Sequence, residues 1–324
     1  MTGGSGEDAS RSRSLKIVVR LASLTFVALC IAFVVHLLIR DWPETLEALR
    51  HARVWWLVLA AVCGFGAMFI LAWRWGAAII AVGGEPSGVH RIVSAFFVGE
   101  AGKYIPGAVW AMLGRSELAR REGYERSIAY SSVALSVIGC YLAAALTALA
   151  LAVVSLIGGS IAMPWWPVAV VAAVGVIAIH PAVSRRVLAL ASRVFGRTLT
   201  VDIPSWTQCL RLTATYVPVW ILIAAATTMV TKSLVADPPI ARVALAAVVS
   251  WIIGFITPAP GGIGVREAVF VAFAGVAAGP AAAAAILARV LFVLVDGLGA
   301  GVGWLVLRGT EPTRALETMR KQAN

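Results

Sequence analysis

Long apolar blocks alternate with short polar segments along the chain. Five blocks reach the length of about 20 residues that a helix needs to cross a bilayer. They span residues 15–39, 54–82, 128–157, 210–230 and 281–307. Shorter apolar blocks lie at 92–113, 163–180, 241–256 and 265–279. The pattern predicts an all-α polytopic membrane protein with a single transmembrane domain over 15–310. A disordered cytoplasmic tail (1–14) precedes this domain, and a second cytoplasmic tail (311–324) follows it.

Composition supports a membrane protein. The 324 residues are 60% hydrophobic and 13% charged, whereas soluble domains are about half apolar and a quarter charged. The net charge of +11 is better explained by basic cytoplasmic loops beside anionic lipid than by nucleic acid, so no nucleic-acid partner is expected. Four histidines are scattered and no metal or nucleotide motif is visible, so no cofactor or metal is predicted. The alanine- and arginine-rich composition favours a high-GC bacterium, and the expected location is then the inner (plasma) membrane.

The distribution of Lys and Arg predicts the orientation of each block. Both chain tails and the basic segments 114–127, which includes Arg115, and 181–211 are assigned to the cytoplasm. Segments 158–164 and 231–240 are assigned outside, since they carry almost no basic residues. The first apolar stretch between the spans, 92–113, therefore begins and ends inside, and it is too short for two spans. It is predicted to be a re-entrant hairpin.

By the same count, 241–279 begins and ends outside and is predicted to be a second re-entrant hairpin, opposed to the first. The expected fold has about six full spans and two hairpins, each hairpin between two spans. Block 163–180 is then the odd crossing that inverts the second unit, which is the inverted-repeat arrangement of secondary transporters.

The first hairpin holds charged residues in the stretch "VGEAGKYIPGAVWAMLGR", 98–115. Glu100 and Lys103 fall at hydrocarbon depth, where a charge costs at least about 2.5–3.5 kcal/mol. Pro106 and Gly107 then open a run compatible with a helix. Two interpretations remain open: an ion pair between Glu100 and Lys103 that only holds the hairpin together, or a site for a lipid head group.

The second hairpin turns at "TPAPGGIGVRE", 257–267. Pro258 and Pro260 end the preceding helix. The glycines that follow allow a tight backbone and the close approach of another group. They are Gly261, Gly262 and Gly264. A new helix is expected to begin near Gly264, with free N–H groups facing the turn.

Two charges follow this turn. Arg266 combines with the free N–H groups to give the donors of a phosphate site, and Glu267 is expected to cap the new helix or to restrain Arg266. The alternative is a plain hairpin turn with an Arg–Glu pair. In the last span, Arg289 and Asp296 are seven residues apart and share a helix face. That face either packs against partners elsewhere in the bundle or lines the same cavity.

Three stretches resemble a known family: "GKYIPGAVWAMLGR", "ELARREG" and "TPAPGGIGVRE". They are similar to the transmembrane region of lysylphosphatidylglycerol synthases and to flippase-like relatives that consist of this region alone, over about 15–307. The resemblance implies movement of lipids between leaflets, of aminoacylated phosphatidylglycerol in the synthases and of polyprenyl-phosphate-linked sugars in other relatives. Since the sequence ends at Asn324, the form without a synthase domain is expected.

The leading hypothesis is a flippase for an anionic or phosphate-linked lipid. Lys103, Arg266 and Arg289 would meet the head group, while Glu100, Glu267 and Asp296 would balance charge. The proline and glycine residues of the two turns would supply backbone donors and hinges. Two alternatives are a membrane enzyme with Glu100 or Glu267 as base, although no catalytic constellation is visible, and a non-catalytic partner in cell-envelope synthesis. A glycosyltransferase or lipid-synthesis enzyme encoded nearby is the expected protein partner.

Overall fold

The computed structural model describes residues 42–85, 88–105, 109–159, 166–178, 204–257 and 259–322, with isolated positions at 39, 180–182 and 186. All regular elements in these ranges are helical. The helices are α1 (Trp42–Arg50), α2 (Val54–Ala81), α3 (Val89–Glu100), α4 (Trp110–Arg121), α5 (Arg126–Ile157), α6 (Trp166–Ala178), α7 (Trp206–Ala214), α8 (Val217–Leu234), α9 (Ile240–Ile256), α10 (Val265–Phe273) and α11 (Ala278–Gln322). Two 3₁₀ turns, Ala101–Tyr104 and Pro260–Gly262, lie after α3 and α9.

Four stretches of helix are long and apolar enough to cross a membrane. They are Val54–Ala81, Arg126–Ile157, Trp206–Leu234 and Ala278–Gly309, and they coincide with four of the predicted long blocks. The whole tail 1–14 and the predicted first span, 15–39, except for residue 39, lie outside the described residues. Block 163–180 contains α6, of which the structure describes the 13 residues Trp166–Ala178.

Three of the four short apolar blocks, 92–113, 241–256 and 265–279, fold into two helical hairpins. Hairpin 1 (89–121) consists of α3, its 3₁₀ turn and α4, and hairpin 2 (240–273) consists of α9, its 3₁₀ turn and α10. Glycines let the arms of hairpin 1 approach closely. A Cβ at Gly99 would lie 2.7 Å from the backbone nitrogen of Arg115, and one at Gly102 would lie 2.8 Å from the carbonyl carbon of Trp110. Only glycine fits at these two positions without moving the opposite arm.

The turn of hairpin 2 uses backbone conformations that favour glycine. Gly261, Gly262 and Gly264 have φ values of 56°, 69° and 80°. An L-residue with a side chain is strained in this region, so the three glycines are required by the turn itself. Helix α10 begins at Val265 with Gly264 as its N-cap, at the position that the sequence predicts.

The first long helices of the two halves run antiparallel. The Arg53 backbone N–H at the start of α2 donates to the Ser233 carbonyl near the end of α8 (3.0 Å). At the opposite end of the pair, Arg74 Nε donates to the Thr215 hydroxyl, also at 3.0 Å. Helix α2, the first long helix of the first half (α2 to α5), therefore runs opposite to α8, the first long helix of the second half (α7 to α11).

Each hairpin packs on the last long helix of the other half. Helix α3 of hairpin 1 lies along α11, where Gly299 and Gly303 face Phe97 and Ser94. Helix α9 of hairpin 2 lies along α5, where the rings of Phe255 and Tyr141 stack 3.9 Å apart. This exchange brings the two hairpin turns into contact at the centre of the bundle.

Two buried tryptophans of the core, Trp75 and Trp220, have hydrogen-bonded indole nitrogens. The Trp75 indole donates to the Ser132 hydroxyl (3.3 Å), and the Trp220 indole donates to the Cys140 carbonyl (2.7 Å). Both tryptophans are at most 2% exposed. Because each buried N–H has a partner, the core holds the surrounding helices without an uncompensated polar group at these positions.

Candidate functional site

A cavity of about 130 Å³ lies where the turns of the two hairpins meet. Its wall includes Lys103 and Tyr104 of hairpin 1, Gly261 and Arg266 of hairpin 2, and Asp296 of α11. Aromatic and aliphatic side chains of α5 and α8 complete it. The cavity is therefore shared by both halves of the chain and contains fixed charges in an otherwise apolar lining.

Lys103 joins the turn of hairpin 1 to α11. Its Nζ lies 2.7 Å from Asp296 Oδ2 and 3.4 Å from Glu100 Oε1. The Tyr104 hydroxyl donates to the same Asp296 oxygen at 2.6 Å. The Glu100–Lys103 pair considered from the sequence is thus present, but the shorter contact of Lys103 is with Asp296, 193 positions later in the chain.

Arg115, which the basic segment 114–127 contains, belongs to this site. It lies in the middle of α4, on the side that faces α3, and is only 6% exposed. Its Nε is 3.8 Å from Glu100 Oε2, and its guanidinium lies 5.0 Å from the centroid of the Phe96 ring. Counting basic residues per segment does not detect this placement, because the count does not say which side of a helix a residue occupies.

Glu267 organises the turn of hairpin 2. Its Oε2 accepts from the Gly264 backbone N–H at 2.7 Å, which caps α10, and its Oε1 lies 2.7 Å from Arg289 Nη1. Arg289 Nη2 also donates to the Gly261 carbonyl at 3.1 Å. Glu267 therefore caps the helix and restrains Arg289, whereas its neighbour Arg266 points elsewhere because successive residues on a helix are about 100° apart.

The Arg266 side chain stacks on an aromatic ring and packs against two glycines. Its guanidinium carbon lies 3.6 Å from the centroid of the Trp251 ring, which is a close cation–π arrangement. A Cβ at Gly254 would overlap the Arg266 side chain, and one at Gly262 would lie 3.0 Å from its Cδ. Across the described ranges, no carboxylate lies within 4.0 Å of this guanidinium. Arg266 therefore has a fixed position and capacity to bind an anion.

The site carries an excess positive charge. Its cationic groups are Lys103, Arg115, Arg266 and Arg289, and its carboxylates are Glu100, Glu267 and Asp296. Four cations against three carboxylates leave one charge unbalanced, and Arg266 is the cation without a carboxylate contact in this set. An anionic ligand would complete the balance, since charges away from water are stable when they are paired.

The structure brings together most of the residues that the sequence singled out. Glu100, Lys103, Arg289 and Asp296 contact one another or line the cavity with Arg266, and Glu267 reaches the cavity through Arg289. Gly261, Gly262, Gly264 and Pro260 form the turn of hairpin 2. Pro106, Gly107 and Pro258 lie outside the described residues.

Three residues that contact the charged groups of the cavity were not among the candidates from the sequence: Tyr104, Arg115 and Trp251. A usable signal did exist, since Tyr104 directly follows Lys103 and must share its environment. The other two are recognisable only once the arms of each hairpin are paired.

A comparison with known proteins identifies the family of the chain. Residues 20–308 match the family described as the lysylphosphatidylglycerol synthase TM region. The chain belongs to this family. No curated protein matches the chain. The lysylphosphatidylglycerol synthase TM region covers every charged residue of the cavity, and with its four apolar helices it makes the chain a multi-pass membrane protein.

Proposed function

We propose that this protein moves a lipid with an anionic, phosphate-bearing head group between the two leaflets of a bacterial inner membrane. The observation that carries the proposal is Arg266, which is fixed on Trp251 in a cavity between the two hairpins and has no carboxylate contact among the described residues. Guanidinium groups bind phosphate with two parallel hydrogen bonds, so this side chain suits a phosphate better than it suits a neutral ligand.

The membership in the lysylphosphatidylglycerol synthase TM region family supports a lipid as the ligand. An aminoacylated phospholipid and a polyprenyl-phosphate-linked sugar both present a phosphodiester or related phosphate. Such head groups share the chemistry that Arg266 recognises. The family therefore favours a lipid phosphate over a free anion.

We place both hairpins inside the membrane as re-entrant segments. The antiparallel packing of α2 and α8, and the exchange of hairpins between halves, support an inverted repeat in which hairpin 1 enters from the cytoplasm and hairpin 2 from outside. Non-helical backbone at membrane depth is tolerated where it lines a cavity, which is the position of both turns. Both chain termini are then cytoplasmic.

The lipid tail would stay in the bilayer while the head group crosses the cavity. Phe255 and Val293 belong to the cavity wall and are also exposed at the apolar surface, by 38% and 41%. An acyl chain can lie against such a surface while the phosphate reaches Arg266. No nucleotide-binding motif is visible in the sequence, so movement would be downhill or coupled to an ion gradient.

The enzyme alternative is less favourable, because the oxygens of both candidate bases are occupied. Glu100 lies against Lys103 through Oε1 and against Arg115 through Oε2. Glu267 lies against Arg289 through Oε1 and accepts from the Gly264 N–H through Oε2. A general base must reach the proton that it removes, and here cationic and backbone donors already contact the carboxylate oxygens.

Reconstitution tests the proposal. Purified protein in liposomes that contain fluorescent phosphatidylglycerol, aminoacylated phosphatidylglycerol or a polyprenyl-phosphate sugar should accelerate movement of at least one lipid to the opposite leaflet, measured by chemical quenching of the outer leaflet. Protein-free liposomes give the background rate. Folded protein that accelerates none of these lipids would overturn the proposal, and recovery of covalently changed lipid would favour the enzyme instead.

A further inference from the structure

The two hairpins contain the same local arrangement of three residues. In hairpin 1, Phe96 and Gly99 lie three positions apart on the first arm, and Arg115 lies on the second arm. In hairpin 2, Trp251 and Gly254 have the same spacing on the first arm, and Arg266 lies on the second. Each arginine therefore has an aromatic residue and a glycine at matching positions on the opposite arm.

The contacts within the two arrangements are also alike. Arg115 lies over the ring of Phe96 with a guanidinium-to-centroid distance of 5.0 Å, and Arg266 lies over the ring of Trp251 at 3.6 Å. In both hairpins the glycine leaves room for the arginine stem, since a Cβ at Gly99 would lie 2.6 Å from Arg115 Cγ and one at Gly254 would overlap Arg266 Cγ. Both guanidinium groups face the same cavity.

One residue distinguishes the two arginines. The residue after Gly99 is Glu100, whose Oε2 lies 3.8 Å from Arg115 Nε. The residue after Gly254 is Phe255, which offers no charge. Arg115 is therefore neutralised by its own hairpin, whereas Arg266 is not, although the two side chains are placed in the same way.

Glu100 also has a second cation within reach. Its Oε1 lies 3.4 Å from Lys103 Nζ, so a rotation of the carboxylate can keep one ion pair while it releases Arg115. Lys103 in turn keeps Asp296 at 2.7 Å. The carboxylate is thus held between two cations, and its departure from Arg115 would not leave it unpaired.

We propose that Arg115 is a second binding site for the phosphate of the lipid head group, closed in this conformation by Glu100, to which the phosphate passes from Arg266. This inference rests on the proposed transport function and adds a second binding site for the head group as it crosses the protein. Displacement of Glu100 toward Lys103 opens the site. The incoming phosphate then replaces the carboxylate as the anion that pairs with Arg115.

The stoichiometry of anion binding tests this inference. Equilibrium dialysis of radiolabelled dibutyl phosphate, a singly charged phosphodiester, against detergent-solubilised protein counts the bound equivalents per chain. The native chain should bind one equivalent, at Arg266, and the Glu100→Gln variant should bind two, because the amide no longer neutralises Arg115. The Arg266→Gln variant should bind none.

Combined variants assign the second equivalent to Arg115. The variant with both Arg266→Gln and Glu100→Gln should bind one equivalent, and addition of Arg115→Gln should abolish it. If the variant with Arg115→Gln does not fold, the comparison of the native chain with Glu100→Gln decides independently of it.

The possible failures are distinguishable. A native chain that binds no dibutyl phosphate contradicts the proposed function itself. If the native chain and the Glu100→Gln variant each bind one equivalent, the proposed function stands and the second site is overturned. Inorganic phosphate dialysed in parallel separates the two sources of the ligand, and tighter binding of inorganic phosphate than of dibutyl phosphate would overturn the lipid assignment.

Discussion

The guanidinium carbon of Arg266 lies 3.6 Å from the centroid of the Trp251 ring, inside the cavity that both hairpins share. A second pair of the same kind lies elsewhere in the chain, where Arg308 stacks over Trp304 at 3.8 Å near the end of the apolar part of α11. The residues of this second pair are exposed and take no part in the cavity wall. The chain therefore supplies its own control for any test of the first pair.

The first prediction concerns the aromatic ring under Arg266. Trp251→Leu should weaken binding of dibutyl phosphate by about 2- to 30-fold, because a cation–π contact is worth about 0.5–2 kcal/mol and holds the guanidinium in its binding position. Trp304→Leu should leave binding unchanged. Equilibrium dialysis measures both variants, and an equal loss in the two would mean that the Trp251 ring has no specific role.

The second prediction concerns the link between hairpin 1 and α11. Lys103→Met or Asp296→Leu alone should strongly lower the stability of the purified protein, since breaking a buried ion pair from one side costs about 3–5 kcal/mol. The variant with both changes should lose clearly less than the sum, because no buried charge of the pair is left alone. Thermal unfolding in detergent gives the comparison, and strictly additive losses would contradict a direct pair.

The third prediction uses four glycines of α11 that lie on two different sides of the helix. A Cβ at Gly303 would lie 2.8 Å from the Ser94 carbonyl oxygen, and one at Gly299 would meet the ring of Phe97, whereas Gly297 and Gly301 have open space. Gly303→Ala and Gly299→Ala should reduce the yield of folded protein by forcing α3 away from α11. Gly297→Ala and Gly301→Ala should be neutral or slightly stabilising, since alanine is the better helix former.

Size-exclusion profiles of the four alanine variants provide the measurement. The contrast lies within a single helix and uses one chemical change, so differences in expression context are removed. If Gly297→Ala and Gly301→Ala disturbed folding as much as the other two, the packing of α3 on α11 described here would be wrong.

The sequence was sufficient to predict the helices and most of the charged residues of the cavity. The apolar blocks predicted the four long helices that the structure describes, and the prolines and glycines of 257–264 predicted where α9 ends and α10 begins. These features are local, because block length and turn chemistry are set by neighbouring residues.

The pairing of the charges was not predictable, because it depends on contacts between distant segments. Lys103 pairs most closely with Asp296 of the other half, and Glu267 binds Arg289 rather than the adjacent Arg266. Neither choice follows from spacing alone. Arg115 was counted only as one of the basic residues of segment 114–127 for a related reason, since only the packing of α4 on α3 reveals that it faces the cavity.

The fourth prediction tests the depth of the hairpin turns in the membrane. Gly262 is unsuitable for a reporter because its φ of 69° strains any side chain, so Ile105 and Ile263, which are exposed in the turns, are replaced by cysteine in a chain whose four native cysteines are alanine. Both should react slowly with an impermeant maleimide in intact and in permeabilised cells, because lipid and protein surround re-entrant turns.

Two loop positions calibrate the labelling. A cysteine at Asp237 should react from outside in intact cells, and one at Glu125 should react only after permeabilisation, as the proposed orientation requires. If Ile263→Cys is labelled from outside as fast as Asp237→Cys, the turn of hairpin 2 lies at the membrane surface and is not re-entrant.

The most direct test of the central claim compares two arginine variants in the liposome assay. Arg266→Gln should slow the movement of the transported lipid by about tenfold or more, since a hydrogen bond to a charged group is worth about 1.5–3 kcal/mol. Arg308→Gln, the matched change at the exposed Arg–Trp pair, should transport at the native rate. Native-rate transport by folded Arg266→Gln, or an equal loss in both variants, would contradict the claim that Arg266 binds the head group.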